Sequence, residues 1–284
     1  MSAQPERRIE GRTFEHVVSR GPVSIYRGPD TYLRIGPGEV LREEADSHKH
    51  LWRLGFPVGK LIAEGEHESL FYYIEESAGA TFGDIFDAEA QRSGSIRPES
   101  FEAFQNIVLT YAGAQLRNVS PVDAKDDFQR TVHVSQVTQI FPDFAEQTAR
   151  VFTQVAERLR VFPTVLTHGD FHAFNVCERG VIDVESVAWG FAGYDVITAI
   201  LLPGLFPLAE DEFSYSQEQL DGYLAAIDDL YMSHGFERPS NYARDFLIAK
   251  MMWLVAGRQR PEKLLGWMDN QYQEMLNAYS QASL

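Results

Sequence analysis

Leu166-Thr167-His168-Gly169-Asp170-Phe171-His172-Ala173-Phe174-Asn175, followed by Val181-Ile182-Asp183-Val184-Glu185, is the stretch on which the reading of this chain turns. An Asp, an Asn five residues later and a second Asp after a short apolar run form the minimal equipment for moving a phosphoryl group. One carboxylate takes the proton of a substrate hydroxyl, while the Asn and the later Asp hold Mg²⁺ on nucleotide phosphates. Asp170 and Asn175 have the D-x-x-x-x-N spacing. Asp183 ends the β-like run Val181-Ile182, where strand geometry would fix a metal ligand. Mg²⁺ prefers oxygen ligands and keeps several waters, so two side chains plus phosphate oxygens suffice.

Upstream, the first ~80 residues read as strands around one helix. Short β-like runs at Phe14 to Val18, Val23 to Tyr26 and Thr31 to Ile35 are separated by Arg20-Gly21-Pro22 and Gly28-Pro29-Asp30, which are turn signals. Leu41, Ala45, Leu51 and Leu54 mark an amphipathic helix that Gly55-Phe56-Pro57 stops. Leu61 to Glu64 and Leu70 to Ile74 then read as a hairpin. After Gly79 the pattern turns helical, with helices expected at 81–90, 100–116 and 144–159. Gln91 to Ser95 reads as a surface loop, and 124–134 is polar and ambiguous. Pro163 precedes a strand at 164–167, and helices are expected again at 216–234, 240–258 and 262–280.

The set His168-Gly169-Asp170 through Asn175, then Ile182-Asp183-x-Glu185, resembles the signature of the aminoglycoside phosphotransferase and choline kinase superfamily. The resemblance implies an α+β, protein kinase-like bilobal fold. Residues 1–78 would form a β-rich N-lobe with one helix, covering the nucleotide. Residues 79–284 would form a mainly helical C-lobe carrying the catalytic loop, the metal site and the acceptor region. The implied activity is an ATP- and Mg²⁺-dependent transfer of the γ-phosphate to a hydroxyl of an aminoglycoside, sugar or amino alcohol, with GTP as an alternative nucleotide.

The same resemblance implies roles residue by residue. Asp170 would be the catalytic base, with Asn175 and Asp183 the Mg²⁺ ligands. Arg34 stands where protein kinases carry a phosphate-gripping Lys. Its charge is kept while its geometry changes. Glu44 would be its helix partner, with Glu43 the competitor. Gly21 and Ser24 would approach phosphate, although the loop has one glycine and a plain hairpin turn explains it equally well. In Tyr72 to Phe82, the Glu75 carbonyl and the Ser77 amide would meet the adenine edge, with Ile74 behind the ring. His168 would brace the loop, His172 would touch substrate or steady the loop, and Asp195 would brace the loop from the next helix. Glu185 would share a strand face with Asp183 or simply be a surface acid.

Composition limits the alternatives. The 284 residues are 44% hydrophobic and 23% charged, ordinary for a globular protein. The net charge of −16 argues against nucleic acid as the main partner. Residues 1–82 hold 10 Lys and Arg against 13 Asp and Glu, and the remainder 15 against 28. A cationic acceptor would suit the acidic second half, and so would a plain solubility role. Acids for such a site include Glu210, Asp211, Glu212, Asp221, Asp228 and Asp229, with Trp189, Phe191, Tyr215, Trp253 and Trp267 as aromatic walls. Cys177 is the single cysteine and reads as packing. The polar first ten residues and the broken apolar stretch 196–209 suggest neither a signal peptide nor a membrane span, which fits a cytoplasmic protein. Nothing in the sequence sets an oligomeric state. No A-P-E follows Asp183, so a small alcohol is a more natural acceptor than a peptide. No H-E-x-x-H motif or carboxylate-rich metal cluster accompanies Asp183 in the sequence, which disfavours a metal-dependent hydrolase. Arg34 and the sparse glycine loop keep open a degenerate, nucleotide-binding relative with a regulatory role.

Overall fold

The computed structural model describes residues 5–205, 213–257 and 265–282. Six strands open the chain: β1 (Glu6–Ile9), β2 (Arg12–Arg20), β3 (Val23–Arg27), β4 (Thr31–Gly36), β5 (Leu61–His67) and β6 (Leu70–Glu76), with α1 (Gly38–Arg53) between β4 and β5. They form one antiparallel sheet in the order β1-β2-β3-β4-β6-β5. The strand β1 extends the sheet beyond the β-β-β-α-β-β order expected from the sequence. The β2–β3 turn needs Gly21, whose φ is +57°, a left-handed conformation costly for residues with a Cβ.

Each face of the sheet has its own cover. On one, Phe14, Tyr26, Leu33, Ile35, Tyr72 and Ile74 pack with Ile9. On the other, Phe71 and Tyr73 receive Leu41 and Ala45 of α1. The buried residues of α1 are Leu41, Glu44, Ala45, His48 and Leu51, spaced three and four apart as one helix face requires. An acid on that apolar face needs a partner.

The remainder is helical, around a large apolar core. It comprises α2 (Phe82–Ser93), α3 (Pro98–Arg117), α4 (Lys125–Thr131), α5 (Val134–Ile140), α6 (Ala145–Leu159), α7 (Tyr194–Leu201), α8 (Gln217–Ser233), α9 (Ala243–Ala256) and α10 (Leu265–Ala282). Thr81 caps α2 by accepting from the Asp84 amide, and Ser216 opens α8 with a capping box to Gln219. The expected loop at 91–95 is mostly helix, because α2 runs to Ser93 before Gly94 ends it in the left-handed region. The ambiguous 124–134 segment resolves into α4 and a break at His133, also left-handed.

Two small ribbons lie inside the helical part: β7 (Thr164–Thr167) with β10 (Ala188–Phe191), and β8 (Val176–Cys177) with β9 (Gly180–Val181). Cys177 is buried in β8, and burial pushes its thiol up to about 12. No helix among the described residues is long and apolar enough to cross a membrane.

Candidate active site

The catalytic-loop candidate runs from the end of β7 to the start of β8, and hydrogen bonds inside the loop fix its shape. Asn175 Nδ2 donates to the Asp170 carbonyl at 2.8 Å, and the Asn175 carbonyl accepts from the Ile182 amide at 3.0 Å. Asn175 and Asp183 therefore flank the open end of the β8–β9 ribbon. The five-residue spacing from Asp170 and the length of the ribbon produce this proximity.

A buried carboxylate anchors the loop from beneath. Asp195, in the first turn of α7 and 1% exposed, accepts from the His168 amide at 2.8 Å and the Gly169 amide at 3.1 Å. It also accepts from Tyr111 Oη and Gln115 Nε2, each at 3.0 Å. His168 is fully buried and donates Nε2–H to the Ile182 carbonyl at 2.7 Å. Burial holds its pKa below the usual range, so it is neutral and ties the loop to the residue before Asp183.

Asp170 has His172 Nε2 at 3.5 Å from Oδ2 and Lys250 Nζ at 3.6 Å from Oδ1. Partial burial pushes its pKa up, but the His172 hydrogen bond and the Lys250 charge outweigh this and bring it to about 2. The carboxylate is thus ionised at neutral pH and able to accept a proton. Lys250, 2% exposed, donates to the Gly169 carbonyl and lies over the Trp253 ring at 3.7 Å from the centroid. Burial lowers its pKa to about 8. The sequence reading missed this residue. Its signal was faint: it is the one charge in the otherwise apolar run Phe246 to Ala256.

Arg34 reaches across from β4. Its guanidinium meets Glu44 at 2.8 Å, Glu75 at 3.3 Å and Asp183 Oδ1 at 3.1 Å. Glu44 also accepts from Tyr73 Oη at 2.7 Å. The Arg34–Glu44 pairing expected from the sequence is present. Glu43 is the wrong candidate, because Glu44 lies on the buried face of α1. Burial works against the charge on Arg34, but Tyr73, Glu75, Glu44 and Asp183 raise its pKa above the ordinary value. Arg20, from the β2–β3 turn, closes on Asp183 Oδ2 at 2.9 Å. The turn of Gly21 therefore overhangs Asp183, although Ser24 Oγ is hydrogen-bonded to Ser19 Oγ at 3.0 Å.

Asp183 itself has φ +59°, a left-handed conformation that costs a non-glycine residue on the order of 1 kcal/mol. The strand expected to carry it stops at Val181, and Val184–Ser186 is a 3₁₀ turn. Glu185 consequently does not share a strand face with Asp183. Burial raises the Glu185 carboxyl, and the charges of Asp183 and Glu44 add to this. Carboxylates crowd this spot, and with the Asn175 amide oxygen they supply the hard oxygen donors Mg²⁺ takes. No group of three or more His, Cys, Asp or Glu arranged as a metal cage exists among the described residues.

The residues expected on the adenine side have other neighbours in this structure. Successive residues of a strand face opposite sides, and Tyr73 and Glu75 contact Glu44 and Arg34. Ile74 therefore faces the side of the sheet opposite Arg34, buried with Leu33 and Ile35. The Ser77 amide is already bound to the Asp30 carbonyl at 2.9 Å, and its carbonyl accepts from Arg179 at 2.8 Å. Glu75 is an inner residue of β6, paired with Tyr32 and Leu61 on either side, and its side chain serves Arg34.

Of the acids expected around the acceptor, two have partners of their own. Asp228 is bound to the amide and hydroxyl of Ser240, and Asp221 accepts from Gln217 within α8. Glu210, Asp211 and Glu212 lie outside the described residues. Phe191 is core, and Trp189, Tyr215 and Trp267 pack against it.

A curled antiparallel sheet with one buried helix, joined to a helical base that presents an H-G-D loop and a later Asp, defines a kinase-like small-molecule phosphotransferase. The profile of the phosphotransferase enzyme family (APH) matches residues 23–231, and the chain belongs to that family. Solved structures share the fold. An aminoglycoside phosphotransferase from Streptomyces rimosus, in complex with ADP and streptomycin, aligns with a TM-score of 0.56 at 12% identity, over 84% of this chain and 92% of that one. A choline/ethanolamine kinase family protein from Mesorhizobium loti gives 0.51 at 13%, over 94% and 87%. An aminoglycoside-3'-phosphotransferase of type VIII gives 0.50 at 19%, over 84% and 93%. A search of curated proteins finds no sequence match.

Proposed function

We propose that the chain transfers the γ-phosphate of ATP to a hydroxyl of a small molecule. In this reading residues 1–78 cover the nucleotide and residues 79–284 carry the chemistry. Asp170 accepts the hydroxyl proton, the freed oxygen attacks the γ-phosphorus, the bond from that phosphorus to the bridging oxygen breaks, and ADP leaves. Arg34, pre-aligned by Glu44 and Glu75, turns its outer nitrogens from Asp183 to the nucleotide phosphates. Asn175 and Asp183 would hold Mg²⁺, which would supply charge neutralisation on the phosphate oxygens.

The observation that carries the reading is the convergence of Arg34 from the sheet on Asp183 from the helical part, at 3.1 Å, beside a loop that fixes Asp170 and Asn175. The structural relative from Streptomyces rimosus, solved with ADP, supports nucleotide use. A second reading, a nucleotide-binding relative that transfers nothing, draws on both Asp183 oxygens being engaged by arginines and on the closed Ser77 amide. Measuring ADP release and Mg-ATP affinity in wild type, Asp170→Ala and Asp183→Ala separates them. We expect Asp170→Ala to retain nucleotide affinity and lose turnover by a factor of about 10² or more, and Asp183→Ala to lose Mg-dependent binding. Full turnover in Asp170→Ala refutes the base assignment.

A further inference from the structure

Arg20 is the last residue of β2, and the hairpin that carries it is shaped to aim it. The β2–β3 register shifts between His16 and Val18, and such a bulge bends a strand and redirects its side chains. Beyond the bulge, His16 Nε2, Ser19 Oγ and Ser24 Oγ form a chain of hydrogen bonds, each 3.0 Å long, that ties the two strands together. Gly21, at φ +57°, then makes the turn. From this support the Arg20 guanidinium leaves the sheet and meets Asp183 Oδ2 at 2.9 Å.

The two arginines on Asp183 are held very differently. The Arg34 side chain is 11% exposed and has Glu44 and Glu75 as further partners. The Arg20 side chain is 63% exposed, and among the described residues Asp183 is the acid with which it pairs. An ion pair so open to water adds little stability. Arg34 therefore stays tethered to two glutamates wherever its outer nitrogen points, whereas Arg20 can leave at small cost. A terminal phosphate carries about two negative charges at neutral pH, like a phosphoserine, and offers a guanidinium the same paired acceptors as a carboxylate. It is the stronger partner for a cation already positioned beside Asp183.

We infer that Arg20 is a latch that exchanges Asp183 for the terminal phosphate of the nucleotide. The inference rests on the phosphotransferase reading and adds to it a residue that contacts the nucleotide. With the cleft empty, Arg20 neutralises Asp183 and holds the hairpin over it. With a nucleoside triphosphate in place, it transfers to the terminal phosphate and leaves the Asp183 oxygen free, so the hairpin stays closed in both states. A diphosphate lacks that phosphate, and Arg20 then has less to gain by leaving Asp183. The hairpin thus distinguishes the triphosphate from the diphosphate through one charge-assisted contact.

The test uses the full-length wild type, Arg20→Gln, Arg20→Lys, Asp183→Asn and the double variant R20Q/D183N. Hydrogen exchange read by mass spectrometry over residues 14–27, with no ligand added, reports the latch itself. Arg20→Gln and Asp183→Asn should each speed exchange of the hairpin about two- to fivefold, and the double variant should go no further than either single one. Calorimetric titration with a non-hydrolysable Mg-ATP analogue and with Mg-ADP reports the exchange. The ratio of the two affinities cancels whatever a variant does to metal binding at Asp183. Arg20→Gln should lower that ratio about tenfold, and Arg20→Lys, which keeps the charge, should recover part of it. Hairpin exchange that is unchanged in Arg20→Gln, or additive in the double variant, overturns the latch. A ratio that does not move in Arg20→Gln, while wild type binds both nucleotides, overturns the transfer to phosphate alone. Failure of wild type to bind either nucleotide overturns that transfer together with the phosphotransferase reading.

Discussion

Replacing Asp195 by Asn is isosteric, yet it should damage both the fold and the loop it supports. Three donors converge on Oδ2 and one on Oδ1, all from buried groups. The best orientation of an Asn keeps its oxygen at the Oδ2 position and points its NH₂ at the Gly169 amide. That leaves two donors facing each other, each an unsatisfied buried group costing about 1–3 kcal/mol. The three surviving bonds weaken from charge-assisted to neutral, a further loss of about 1 kcal/mol each. Relief of the burial cost of the carboxylate offsets part of this, so the net destabilisation should be about 2–4 kcal/mol. Urea unfolding followed by circular dichroism gives the difference directly at constant slope. The loop carrying Asp170 should also loosen, so turnover should fall while Mg-ATP affinity, set by Arg34 and Asp183, falls less. A variant within about 1 kcal/mol of wild type would refute the argument that Asp195 organises the loop.

Two further outcomes follow from the charged groups. Arg34→Met leaves Glu44, Glu75 and Asp183 without their shared cation. Stability should drop by about 3–5 kcal/mol and nucleotide affinity should fall with it, and a variant that melts like wild type would count against this network. Lys250 has its pKa lowered from 10.5 to about 8, so between those values the unfolded chain holds a proton that the folded chain has released, and stability from this group rises with pH. The gap in urea midpoint between wild type and Lys250→Met should therefore change in favour of wild type from pH 8 to 10.5. A flat difference would show that burial does not shift this lysine.

Much of the site was readable because it is local. The Asp170–Asn175 spacing closes on itself through one side-chain hydrogen bond, and a two-strand ribbon returns the chain to Asp183. The Arg34–Glu44 pair follows from a strand and a helix whose registers are set by Leu33, Ile35, Leu41 and Ala45. The adenine side was less legible for a physical reason. Leu70 to Ile74 is apolar throughout, without the alternation that tells inner from outer face, and a shift of one residue exchanges the two faces. The strand β1 was overlooked because Glu6-Arg7-Arg8-Ile9 has the charged composition of an edge strand, which reads as a tail. Lys250 lies 80 residues beyond Asp170, and only tertiary packing of α9 under the loop joins them.

The acceptor expectation drawn from overall charge shows how far such reasoning extends. A net charge of −16 describes the field at long range, where solvent screens it within about 10 Å. Inside the site the balance is struck pair by pair. Asp170 faces Lys250, and Asp183 is held by Arg34 and Arg20. If Asp183 holds a cation as proposed, Arg34 would be free to turn to phosphate, and local neutrality around Asp183 would be preserved. No such exchange is open to Lys250, whose hydrogen bond to the Gly169 carbonyl and contact with Trp253 fix it in α9. Lys250 and Asp170, 3.6 Å apart, therefore stay together as an ion pair beside the loop. The charge around the cavity beside the loop is set by Asp87, Asp170 and Lys250, not by the total over the surface.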